Sequence, residues 1–185
     1  IHIDIMDGHY VPNITFGPNI VKSLRKITSK ILDVHLMIKP VKHYIKDFID
    51  SGSDIITFHP EADDNPEEII KMIINAKIKA GIAIHPEVNI ADIDHLFSKV
   101  QQIIVMTVTP GFGGQKFMHD QVKKIKDLDE IRKNNNYNYE IAVDGGVNNE
   151  NAKICKDNGA DVLAVGSYLF SQNQNKYNEI INSLR

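Results

Sequence analysis

Residues 1–8 read IHIDIMDG. In an extended strand, side chains two apart share a face, so His2, Asp4 and Met6 point one way and Ile1, Ile3 and Ile5 the other. One face is apolar. The other holds an imidazole, a carboxylate and a thioether, and Asp7–Gly8 closes the run. A strand made only for packing would not carry that second face, so this segment is read as a strand with one side on a core and the other on a chemical site.

Further along the chain, short β-branched runs recur: LDVHLMI (32–38), DIITFH (54–59), GIAIH (81–85), QIIVMTV (102–108), EIAVD (140–144) and DVLAVG (161–166). Segments of helical period lie between them. Ile69, Ile70, Ile73, Ile74 and Ile78 form one stripe behind Pro66, and VKHYIKDFIDSG ends on Gly52, which suits a C-cap. Ile90, Ile93 and Leu96–Phe97 mark another helix, VKKIKDLDEIRK (122–133) a longer one, and NKYNEIINSLR the last. Strand and helix alternating without interruption imply a parallel sheet flanked by helices, either a closed barrel or an open doubly wound sheet. Polar residues decide between them. They end several strands at once (Asp7–Gly8, His35, His59, His85, TPGFGG, Asp144, Gly166–Ser167), as barrels require, whereas an open sheet gathers its site at one switch point. The expectation is a barrel in which seven βα units are visible, all within a single domain spanning 1–185.

The bulk properties agree with that size. The chain has 185 residues, 42% of them hydrophobic, and a formal net charge of -3 with a pI near 6.2. One core and one domain fit this length. The charge balance gives no footprint for nucleic acid, and apolar runs such as IIVM (103–106) are too short to span a bilayer. A single cysteine, Cys155, rules out an internal disulfide framework and suits a reducing compartment, so a cytoplasmic location is expected. No signal peptide is visible; the sequence starts inside a strand, so an upstream segment and an organellar address stay open.

Two constellations carry chemistry. His2, Asp4, His35 and Asp144 each stand on an expected strand, and two imidazoles with two carboxylates suit one divalent ion such as Zn²⁺, Fe²⁺ or Mn²⁺. Any one of them alone would more often be a hydrogen-bonded polar group; four on inward faces reverse those odds. His59 and His85, each followed by proline, are read as rim residues, and His9, His43, His95 and His119 as surface. In TPGFGGQKF (109–117), Gly111, Gly113 and Gly114, with Phe112 between them, allow backbone N–H groups to close around an anion before a helix begins near Gln115. Gly145–Gly146 and Gly166–Ser167 end the next two strands in the same manner, as in the phosphate sites built from late βα loops. Met6, Met37 and Met106 end inward faces. They are core filler at about even odds, against an apolar floor that keeps water from a carbanion.

HIDIMDGHYVPNITFGP, DVHLMI, VMTVTPGFGGQKF, VDGGVN and the terminal VGS, in order along essentially the whole chain, resemble the ribulose-phosphate 3-epimerase family. The resemblance implies a TIM (β/α)8 barrel, here lacking its first βα unit, that epimerises D-ribulose 5-phosphate and D-xylulose 5-phosphate at C3 through an enediolate. It further implies one divalent metal held by His2, Asp4, His35 and Asp144, with Asp4 and Asp144 as the acid/base pair. Substrate and phosphate contacts would fall on His35, Gly111, Phe112, Gly113, Gly114, Gly145, Gly146, Gly166 and Ser167. A small phosphorylated ketose is the implied substrate, and a homo-oligomer, dimer or hexamer, the implied assembly. This chain departs from the family's usual pattern at His85, Thr109 and Val165, none of them an implied ligand. Rival readings are a 3-epimerase of a six-carbon ketose 6-phosphate such as allulose 6-phosphate, a metal-independent barrel isomerase or lyase, and a phosphate-binding fragment without turnover.

Overall fold

A computed structural model describes all of residues 1–185. Seven strands, β1 (His2–Met6), β2 (Asp33–Met37), β3 (Ile55–Phe58), β4 (Lys79–Ile84), β5 (Gln102–Met106), β6 (Glu140–Asp144) and β7 (Val162–Ala164), form one parallel sheet in chain order. The connections carry α1 (Pro18–Arg25), α2 (Ile45–Asp50), α3 (Pro66–Asn75), α4 (Ile90–Ile93), α5 (Val122–Asn135) and α6 (Ala152–Asp157), and α7 (Ser167–Phe170) and α8 (Tyr177–Ser183) follow β7. Several of these helices are extended or entered by short 3₁₀ turns.

The sheet is strongly curled. Five inter-strand steps of about 4.8 Å would put β1 and β6 roughly 24 Å apart in a flat sheet. Instead His2 Nε2 on β1 lies 3.9 Å from Asp144 Oδ2 on β6. The wall is a curled, parallel half-barrel of seven strands, and its two free edges are β1 and β7. On β1, Thr15 covers part of the edge: its hydroxyl accepts from Met6 N and donates to Asp4 O, while its own N–H reaches Met6 O.

Alternation sorts the side chains as the opening segment predicts. Ile3 and Ile5 of β1, Val34 and Leu36 of β2, Ile56 and Phe58 of β3, and Ile103 and Val105 of β5 join one core cluster of 33 buried residues beneath the helices. The opposite face of the sheet bears His2, Asp4, His35, Thr57, Ala83, Ile104, Ala142 and Asp144 and forms the lumen. Gly81 is required there, because a Cβ at that position would stand 2.2 Å from Thr57 Oγ1.

Helix α3 begins as expected behind Asn65, whose side-chain oxygen accepts from Glu68 N, and buries Ile69, Ile70 and Ile73. It stops earlier than its stripe suggests. Lys77 adopts φ +62, and Ile78 leads directly into β4, which starts at Lys79 rather than at 81. A second correction concerns the Gly-rich segment. No helix starts at Gln115: a 3₁₀ turn begins at His119 and α5 at Val122. The Gln115 amide instead donates to Thr109 O and Phe112 O, folding the segment into a closed loop. No helix of the chain is long and apolar enough to cross a membrane.

Candidate active site

His2, Asp4, His35 and Asp144 converge in the lumen, His2 from the start of β1, Asp4 and His35 from the middle of β1 and β2, and Asp144 from the end of β6. Each offers one ligand atom, and these atoms all lie within 4.8 Å of one another. Asp4 Oδ1 is the nearest common neighbour, 3.3 Å from His2 Nε2 and 3.1 Å from His35 Nδ1. Asp144 Oδ2 faces the same nitrogens from the opposite wall, at 3.9 and 3.7 Å.

The polar groups behind the two imidazoles fix how they point. His2 Nδ1 donates to Asp33 Oδ2 at 2.8 Å, and Asp33 Oδ1 accepts from Gln102 Nε2 at 3.1 Å. His2 Nε2 is then left buried, aimed at two carboxylates, with no hydrogen bond of its own. A lone pair facing carboxylate oxygens is unfavourable unless a proton or a cation stands between them. The ionisation preferences carry the same message. Burial would raise the Asp4 carboxyl, but His2 and His35 overrule it and hold Asp4 far below the usual carboxylate range. Burial dominates at Asp144 and, helped by the Asp4 charge, pushes it upward despite His2. Burial acts to lower His2, yet Asp33 and Asp4 raise it well above an ordinary imidazole. The cluster could hold a cation, and its two-nitrogen, two-carboxylate donor set fits a divalent transition metal.

His59 corrects the sequence reading. It is no rim residue: it is fully buried and its Nε2 lies 3.1 Å from His35 Nε2. Its Nδ1 points toward Glu61 Oε1 at 3.4 Å, long for a hydrogen bond, and Tyr10 OH donates to the same Glu61 oxygen at 2.8 Å. Burial drives its pKa down to about 4. His85 stays partly exposed at the end of β4, while His9, His43, His95 and His119 are exposed as expected. Asp33 also went unread, although its signal was present: Asp33 and His35 stand two apart on β2, the mirror of His2 and Asp4 on β1.

The three methionines fall on the lumen side. Met6 and Met37 are register partners on neighbouring strands and pack with Val11, whereas Met106 sits in a separate cluster with Ala83, Ile104, Val108 and Ala142. The glycine loops divide by crowding. Gly145 and Gly146 have positive φ and backbone neighbours that leave no room for a Cβ, while Gly113, Gly114 and Gly166 face open space. Asn13 Nδ2 donates to Gly111 O at 2.7 Å, so the β1–α1 loop is tied across the mouth to the Gly-rich loop. Phe112 is 56% exposed on that loop, and Ser167 opens α7 directly after Gly166.

Comparisons with known proteins place the chain in a family. The family model described as "Ribulose-phosphate 3 epimerase family" matches residues 1–170. A protein of Bacillus subtilis (strain 168) named ribulose-phosphate 3-epimerase is 42% identical over 177 residues, covering 95% of this chain and 82% of the relative. One of the same name from Escherichia coli (strain K12) is 38% identical over 187 residues, covering 100% and 82%. Among solved structures, 3-keto-L-gulonate-6-phosphate decarboxylase from Vibrio cholerae superposes with a TM-score of 0.73 at 16% identity, covering 100% of this chain and 94% of that one, a likeness of fold alone.

Proposed function

This chain belongs to the ribulose-phosphate 3-epimerase family, and on that premise we propose how its residues carry out the reaction. The reaction is the interconversion of D-ribulose 5-phosphate and D-xylulose 5-phosphate, in which a proton leaves C3 on one face and returns on the other. Asp4 and Asp144 are the two proton carriers. The observation behind this assignment is their placement: on β1 and β6, on opposite walls, yet both within 4 Å of the same two imidazole nitrogens. One carboxyl begins ionised and takes the C3 proton; the other begins protonated and supplies one from the far side; the reverse direction exchanges the roles.

His2, Asp4, His35 and Asp144 would hold one divalent cation, with Zn²⁺, Fe²⁺ and Mn²⁺ all compatible with the donor set. Bound there, such a cation neutralises the negative charge that develops on the substrate oxygens as the enediolate forms. The protein's own groups do the rest. Asp33 holds the His2 ring, Met6 and Met37 wall the mouth against water, and the backbone of Gly111–Gly114, Gly145–Gly146 and Gly166–Ser167 receives the phosphate, with Phe112 closing over it.

The proposal extends to the whole fold. Residues 1–185 would form one domain, seven units of an eight-stranded barrel whose remaining βα unit stands between β7 and β1. Self-association as a dimer or hexamer belongs to the same reading.

The test is a coupled epimerase assay combined with exchange of the C3 hydrogen into deuterated solvent and with metal analysis. Loss of exchange in both Asp4→Asn and Asp144→Asn is expected; exchange at the native rate in either removes that residue from the proton path.

A further inference from the structure

We propose that His59 is a positioning residue for this site: held in its Nδ1–H tautomer by Glu61, it accepts the Nε2–H of His35 and leaves the His35 Nδ1 lone pair facing Asp4 and Asp144. The inference rests on the reading of His2, Asp4, His35 and Asp144 as metal ligands.

The argument is one of donor counting. A neutral imidazole has one N–H and one lone pair. The Nε2 atoms of His35 and His59 meet at 3.1 Å with both rings wholly buried, so one must donate and the other accept. If His59 donated, its Nδ1 would turn a lone pair toward Glu61 Oε1, 3.4 Å away. That oxygen already accepts from Tyr10 OH at 2.8 Å, so two acceptors would face each other. With the opposite polarity both His59 contacts have their hydrogens: His59 Nδ1–H points at the Glu61 carboxylate, and His59 Nε2 receives the proton of His35. A hydrogen is then missing only between His35 Nδ1 and Asp4 Oδ1, where the proposed cation would sit. The His35 nitrogen nearest Asp4 Oδ1, at 3.1 Å, is then the free lone pair that a metal requires.

Tyr10 locks the arrangement. Its ring lies 4.7 Å from that of His59 at an interplanar angle of 30°, and its hydroxyl fixes the Glu61 oxygen that sets the polarity. The two metal-facing imidazoles are therefore braced differently: His2 by the carboxylate of Asp33 directly, His35 by a carboxylate acting through a second imidazole. Groups that hold the far nitrogen of a ligating histidine govern metal affinity, typically by about 10–100-fold.

Long-range ¹H–¹⁵N spectra of labelled, metal-free protein report the tautomer of each histidine, and competition with a chromophoric chelator reports Zn²⁺ affinity. His35 is expected as the Nε2–H form in the native protein. His59→Phe, which keeps a ring but removes the acceptor, should lose that preference and weaken Zn²⁺ by about 10–100-fold. His59→Gln, whose carbonyl can accept the same proton, should recover most of both. Glu61→Ala, on the short turn after β3, removes the acceptor behind His59 and should shift the tautomer and weaken Zn²⁺. An Nδ1–H form of His35 in the native protein overturns the proposal, as do native tautomer and affinity in both His59→Phe and Glu61→Ala. A native protein that binds no Zn²⁺ refutes the metal reading instead, and the spectra still decide the polarity of the His35–His59 pair.

Discussion

Asp144→Asn preserves the shape of a side chain while removing one carboxyl of the proposed proton-carrying pair. With Asp4 held low and Asp144 pushed up by burial, the two carboxyls are already driven apart. The expected outcome is a fall in kcat of about 10²-fold or more, with weakened Zn²⁺ binding that persists on the three remaining ligands. A coupled assay and chelator competition check this, and more than about a tenth of the native kcat would exclude an acid/base role. Asp33→Ala acts on the ring instead. Freed of its 2.8 Å bond, His2 Nδ1 loses its fixed tautomer, so Zn²⁺ affinity should drop by about 10–100-fold. Asp33→Asn is the control, because its carbonyl still accepts and should lose less. At this scale the sequence was legible wherever a face could be read from alternation, as with His2, Asp4, His35 and Asp144. It was misleading where a partner comes from far away: nothing near His59 announces that Tyr10, 49 residues earlier, closes over it.

Elements were read well where their ends carry chemistry. Asn65 before Pro66 marks a helix start, and β6 runs over Glu140–Asp144 as its alternation predicts. The end of α3 was not readable, because Lys77 takes its positive φ without a glycine or proline to signal it. The same applies to the Gly-rich loop, where a side-chain amide, invisible to periodicity, replaces a helix start. How α5 is fastened to the sheet can be tested. Arg132 donates to Asp129, to Asp161 and to the carbonyls of Tyr139 and Gly159, joining α5 to the entries of β6 and β7. Arg132→Met should destabilise by about 2–3 kcal/mol in denaturant titration, since several charge-assisted bonds go at once. The network also sets an acid limb. Burial acts to raise Asp129, but Lys133 and Arg132 prevail and hold it below the usual range. A carboxyl depressed in the folded state adds stability above its unfolded pKa of about 3.9, and that stability drains away as pH falls through the lower folded value. Asp129→Asn should therefore be less stable than the native chain at pH 6, with the difference shrinking below about pH 4.

In the molecule as a whole, the free edges of β1 and β7 are the exposed flank of the design. Thr15 satisfies β1 only at Asp4 and Met6, and apolar side chains cluster near that flank, with Ile1 54% and Ile31 57% exposed. Unpaired parallel edges invite pairing with other chains. A version of this protein extended N-terminally by one βα unit should melt at higher temperature and elute as a single species, whereas the 185-residue chain should show time-dependent association. Equal melting and equal elution would show that a closed barrel adds nothing to this wall. Strand order has a consequence of another kind. Each strand adds beside the one made just before it, so the sheet can grow as the chain leaves the ribosome. His2, Asp4 and His35 stand on the first two strands of that order and His59 follows the third, but Asp144 belongs to the sixth. A nascent chain halted after β5 would already own three of the four proposed ligand residues and the imidazole proposed to orient one of them, yet only one of the two proposed proton carriers. The proposed pair is complete only once β6 is made, ahead of β7 and the Gly166–Ser167 turn.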